Sequence, residues 1–138
     1  MNGFSVASLT STCSSISHRA LSTAVEIDEL RKASPSSSDG PALEALGFLG
    51  TRLQQFRQHT DILLECLTSA SLISPGLQEV VTRALRQCDT ALAVIEKQVK
   101  RLHPQSVERV DPNVFEVFQD LLVAYSRVFI LVTQLLSV

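Results

Sequence analysis

Apolar side chains recur along this chain at alternating steps of three and four residues. The clearest run is Ala42, Leu46, Leu49, Leu53, Phe56, Thr60, Leu63, Leu67 and Ala70, with Arg52, Gln54, Gln55, Arg57, Gln58 and Asp61 between them. That spacing keeps one row facing a partner over several turns and predicts an amphipathic helix. Thr60, the polar interruption, has a hydroxyl that can bond back to a carbonyl of the preceding turn. A second run repeats the pattern with Leu77, Val81, Ala84, Cys88, Ala91, Ile95, Val99 and Leu102.

The last segment carries two rows. Val114, Phe118, Leu121, Tyr125, Val128, Val132 and Leu135 form the first, which is expected to be its seam in the core. Phe115, Leu122, Phe129 and Leu136, each seven residues after the last, form the second. Together they cover more than half the circumference, as in a helix that is buried, spans a membrane or keeps one face for a partner. Arg127 and Gln134 interrupt the stretch from Leu121 to the end, which argues against a membrane span. Two readings remain for the second row: a second buried face of a central helix, or a partner-binding surface at Phe115, Leu122, Phe129 and Leu136.

Punctuation between the runs is sharp. SPSSSDGP ends in Gly40-Pro41, so Pro41 can take the first helical position. Ser74 before Pro75 and Asp111 before Pro112 are N-cap residues followed by prolines. Val110 is placed to staple onto Phe115. Pro104 stops the third helix near His103, and HPQSVERV reads as a polar crossover.

The opening stretch SVASLTSTCSSISHRALSTAV is crowded with hydroxyls and has no acid before Glu26. It lacks the unbroken apolar core of a secretory signal and offers a mitochondrial transit peptide only Arg19. Val6, Leu9, Cys13, Ile16, Ala20, Ala24, Ile27 and Leu30 stay in one helical phase past Val25 into EIDELRK, which predicts a first bundle helix. Whether that helix is locked in place or movable is not readable from its residues.

The expectation is therefore an all-α, antiparallel four-helix bundle in one domain over residues 1–138, with helices near Gly3–Ala33, Pro41–Ser71, Pro75–His103 and Pro112–Ser137. Composition agrees: 138 residues, 45% apolar, only 5% aromatic and no Trp, a palette of small aliphatic side chains suited to packed helices. A net charge of −2 provides no strong field for nucleic acid. The local cluster Lys97, Lys100, Arg101 and His103 falls where cations offset a helix C-terminus. Three cysteines, Cys13, Cys66 and Cys88, are odd in number and widely spaced, as in a reducing compartment rather than a disulfide framework or zinc site. Cys13 and Cys88 lie on apolar rows and are expected to be buried.

No phosphate-binding glycine loop, HExxH, GxSxG or dinucleotide fingerprint occurs. His18, His59 and His103 sit on separate elements, with His59 expected to be exposed beside Arg57 and Asp61. These features imply no enzyme activity, catalytic residue, metal, cofactor or small-molecule substrate.

The stretches GFSVASLTSTCSSI, PALEALGFLGTRLQQF and LRQCDTALAVIEKQVKRL resemble the N-terminal helical domain of many filamentous-fungal proteins, with Cys88 and Leu92 matching its Cys amid leucines. That domain often precedes ankyrin repeats or nucleotide-binding STAND modules, is known for a protein of azaphilone pigment clusters, and is similar to HeLo-type bundles. The resemblance implies a cytoplasmic module for protein–protein interaction, self-association or signalling, either stand-alone or a piece of a longer chain. The alternatives are a HeLo-like bundle that perturbs membranes when its first helix detaches, and an imported mitochondrial protein.

Overall fold

A computed structural model describes residues 6–34, 40–70 and 72–137. The four expected helices are present: α1 (Val6–Ala33), α2 (Pro41–Ser69), α3 (Pro75–Lys100) and α4 (Pro112–Leu136). A short 3₁₀ turn, Val107–Arg109, lies between the last two. Among the described residues there is no strand. The expected start at Gly3 and the expected end of the second helix at Ser71 lie outside the described residues. The third helix stops at Lys100, short of His103, because its last turn tightens. Arg101 N–H bonds Gln98 O at 3.2 Å and Leu102 N–H bonds Val99 O at 3.1 Å, both three residues back.

The starts follow the punctuation. Ser74 Oγ accepts from Leu77 N–H at 3.3 Å, and Asp111 Oδ1 accepts from Asn113 N–H at 3.0 Å, each just before a proline in the first turn. Gly40 has no side chain with which to cap α2. A distant residue does it instead: Glu108, on the 3₁₀ turn, accepts from Leu43 N–H at 3.0 Å. Its carboxylate also complements the positive end of the helix. A Cβ on Gly40 would run into the Glu108 carboxylate, which would have to shift from its present place at the helix end. The crossover is accordingly less polar in use than in composition, since Val107 beside Glu108 is buried.

The helices alternate in direction along the chain, but the neighbours are not those of a simple up-and-down bundle. α2 packs extensively on both α1 and α4, α1 also meets α3, and α3 and α4 approach least. α1 and α4 lie across one diagonal, α2 and α3 across the other. Two packed pairs therefore run antiparallel (α1 with α2, α3 with α4) and two run parallel. Ser17 on α1 meets Asp61 on α2, whereas Ile27 further along α1 lies against Gly50 earlier on α2, so those helices run antiparallel. Gln119 of α4 donates to Ala45 O at 3.2 Å and Phe129 packs against Phe56, so α4 runs alongside α2 in the same direction.

The core follows the expected rows on the first two helices except at their ends, where Val6 is exposed and Leu30 and Ala70 are half-buried. Leu9, Cys13, Ile16, Ala20, Ala24 and Ile27 of α1 are buried, as are Ala42, Leu46, Leu49, Leu53, Phe56, Thr60, Leu63 and Leu67 of α2. Thr60 Oγ1 donates to Phe56 O at 2.8 Å, the expected back-bond. α3 buries Val81, Cys88, Ile95 and Val99 of its expected row. It also buries Leu85 and Leu92, one step round the helix, because it faces two neighbours.

Candidate interaction surface

α4 corrects the sequence reading of its two rows. Of the row expected to form the seam, Phe118 and Val132 are buried and Tyr125 is half-buried, while Val114, Leu121, Val128 and Leu135 are exposed. Of the row expected to meet a partner, Phe115, Leu122 and Phe129 are buried, and Leu136 packs partly against the core. Phe115, Leu122, Phe129 and Leu136 are thus core residues, not a docking surface. The centrepiece is Phe129, fully enclosed with its ring centroid 5.6 Å from that of Phe56. Such a pair adds about 0.5–1.5 kcal/mol beyond the area it removes from water.

The residues sort into two complete heptad seams, offset by one position. The inner one is Phe115, Phe118, Leu122, Tyr125, Phe129, Val132 and Leu136. The outer one is Val114, Val117, Leu121, Ala124, Val128, Leu131 and Leu135, every member exposed, with Val117 and Leu131 each at 55%. One residue is about 100° of helix rotation, so both seams run the length of α4 on adjoining faces. Sequence reasoning found the apolar girth of α4 but drew its rows across the two seams. Val117 and Leu131 were on neither row, and the heptad count from Val117 was the signal available for them.

The outer seam adjoins α3. Gln119 marks the α2 side of α4, and Tyr125, whose phenol is raised first by burial and then by the nearby Cys88, marks the α3 side. On α3, Asp89 and Glu96 reach α1, so the opposite flank turns toward α4. That flank carries half-buried Ala84 and Ala91 and exposed Val80 and Val94. The apolar surface of α4 therefore continues across the loosely packed α3–α4 edge. Contiguous exposed apolar patches of more than a few hundred Å² are rare on monomeric proteins.

The polar groups elsewhere are used structurally. Arg19 bridges α1 to α3, with Nε donating to Glu96 Oε1 at 3.0 Å and Nη1 to Asp89. Its guanidinium pKa is raised, mainly by the hydrogen bond to Glu96. Burial pushes both the Cys13 and the Cys88 thiols up to about 12, helped by the charges of Asp61 and Asp89 respectively. Protonated thiols of this kind are poor nucleophiles. His59 is half-buried rather than exposed, and its Nδ1 is enclosed with no hydrogen-bond partner. The basic residues Lys97 and Lys100 occupy the last turn of α3, where they complement its carbonyl end. Among the described residues, no group of three or more His, Cys, Asp or Glu side chains is placed to hold a metal ion. Nor is any helix among them long and apolar enough to cross a membrane.

Compared with models of protein families, with curated proteins and with solved structures, the chain matches none.

Proposed function

We propose that this protein is a non-enzymatic helical interaction module, of the signalling kind that its resemblance to fungal N-terminal helical domains implies, acting in the cytoplasm. The observation that carries this reading is the outer seam of α4. Seven consecutive heptad positions are apolar and exposed, although the inner seam already supplies the contacts α4 needs with the core. Leaving so long a row of Val and Leu in water serves no purpose in a monomer, and its spacing is that of a helix-to-helix contact.

The test compares the wild type with Val117→Glu/Leu131→Glu. Both positions are more than half exposed, so the variant keeps its helicity and its unfolding midpoint. Association is read with the chain's own copies and with host proteins captured by cross-linking and then reconstituted from purified components. Loss of association in the variant supports the reading. A variant that keeps every association of the wild type refutes it.

A further inference from the structure

We infer that the outer seam of α4 is the interface of an antiparallel homodimer, a conclusion that rests on reading this face as an interaction surface. The argument is self-complementarity in both shape and charge. When two copies of α4 lie antiparallel, residues of one copy at the first seam position of each heptad meet those at the fourth position in the other. One register pairs Val114 with the partner's Leu131, Val117 with the partner's Val128, and Leu121 with the partner's Ala124, each repeated by the two-fold axis. Four of the six layers then set a leucine against a smaller valine or alanine, and the other two set valine against valine.

The same register disposes the charges that flank the seam. The residue preceding each Val114-type position is Asn113, Asp120, Arg127 or Gln134, a row of polar side chains at seven-residue spacing. Asp120 and Arg127 are both exposed, and neither takes part in an ion pair within the chain among the described residues. They are about 10 Å apart along the axis, two turns of helix, too far to pair with each other. In the antiparallel register Asp120 meets the partner's Arg127, and Arg127 meets the partner's Asp120. Asn113 falls opposite the partner's Gln134 in the same way. The apolar layers allow registers that differ by one heptad, and the polar flank selects this one among them. A parallel pairing would leave both charges opposite the partner's Tyr125 and Val132 positions and gain nothing from them.

The dimensions set the strength. The seam is about 30 Å long and about 10–12 Å wide, on the order of 350 Å² per copy. With the adjoining Val80 and Val94 flank of α3, two copies bury roughly 1,000 Å² in total, the low end for specific association. The dimer is therefore weak and concentration-dependent, with a dissociation constant on the order of 10–100 µM.

Sedimentation equilibrium of the full chain from about 5 to about 500 µM tests this, with circular dichroism confirming that each variant is folded. The wild type passes from monomer to dimer over that range. Val117→Glu/Leu131→Glu raises the dissociation constant more than tenfold. Arg127→Asp also weakens the dimer, because it places two pairs of like charges across the interface. Asp120→Arg/Arg127→Asp restores it to within about threefold of wild type. A wild type that stays monomeric at the highest concentration overturns the dimer. Seam-dependent binding of a purified host protein in that case leaves the interaction reading standing, and its absence removes both. A dimer insensitive to Val117→Glu/Leu131→Glu, or one not rescued by the double charge exchange, overturns the proposed interface.

Discussion

α1 and α4 solve opposite problems. α1 is built from Ser, Thr and Ala, yet Leu9, Cys13, Ile16, Ala20, Ala24 and Ile27 are buried, and the buried hydroxyls find acceptors. Thr23 donates to Arg19 O at 2.8 Å, and Ser17 donates across to Asp61. Its larger side chains Ile27 and Arg31 meet glycines on α2, where a Cβ on Gly50 would stand 3.2 Å from Ile27 Cγ2. α4 is far more apolar, yet half its apolar residues face water. A helix of modest hydrophobicity thus buries most of its apolar residues, leaving Val6 and Val25 exposed, while the most hydrophobic one is under-used. Burial here follows phase and fit, not average composition.

That comparison is broken or sharpened by substitution. The largest effect belongs to the inner seam of α4. Phe129→Ala lowers the unfolding free energy by about 3–5 kcal/mol in urea titrations, and Val117→Ala on the outer seam changes it by less than about 0.5 kcal/mol. Equal costs would mean that the two faces are misassigned.

On α1, Arg19→Met keeps the apolar stem but removes the bridge to Asp89 and Glu96. Because the guanidinium and Glu96 are only partly shielded from water, with side chains 26% and 20% exposed, the cost is about 1–2 kcal/mol. Amide exchange should quicken across α1 more than across α2. If α1 protection is unchanged, packing alone holds the helix.

Gly40→Ala displaces the Glu108 carboxylate and costs about 1 kcal/mol, the usual worth of an N-cap. Glu108→Ala costs the same, and the double variant costs no more than either single one, since both remove one contact.

The smallest effect at neutral pH concerns the thiols. Cys66, half-buried, is labelled by a thiol reagent first, and Cys13 and Cys88 only after the bundle opens. Both buried thiols rise from 9.0 to about 12 on folding, so the native state holds protons that the unfolded chain releases. Their contribution is fully present below pH 9 and is lost as the pH climbs toward 12. Replacing both by Ala flattens that alkaline slope.

The first two helices were legible in the sequence almost residue by residue, because each has one apolar row and one polar face. The rows of α1 stayed readable through its hydroxyls because phase survives poor composition. α4 was legible as a helix but not as a surface. With Val, Leu, Ile and Phe on more than half of its circumference, spacing alone does not say which row faces in. The neighbour order escaped for a different reason. Pairing α1 with α3 and α2 with α4 depends on where the Ala70–Ser74 connection carries the chain, and no local pattern records that. Glu108 was likewise invisible as a cap, since the amide it satisfies lies 65 residues earlier.

The two seams of α4 also pose a question to the folding chain. Each meets the same spacing rule, so the helix has two ways to dock, one residue of rotation apart. What separates them is volume: Phe115, Phe118 and Phe129 belong to one seam, and the other offers only Val, Leu and Ala. A ring buries about 150–250 Å², more than a valine can provide. With half-buried Tyr125, the energy gap between the native bundle and its rotated competitor therefore rests on four aromatic side chains in a protein that has seven in all. Trimming them toward valine would leave the heptads intact and the helix undecided.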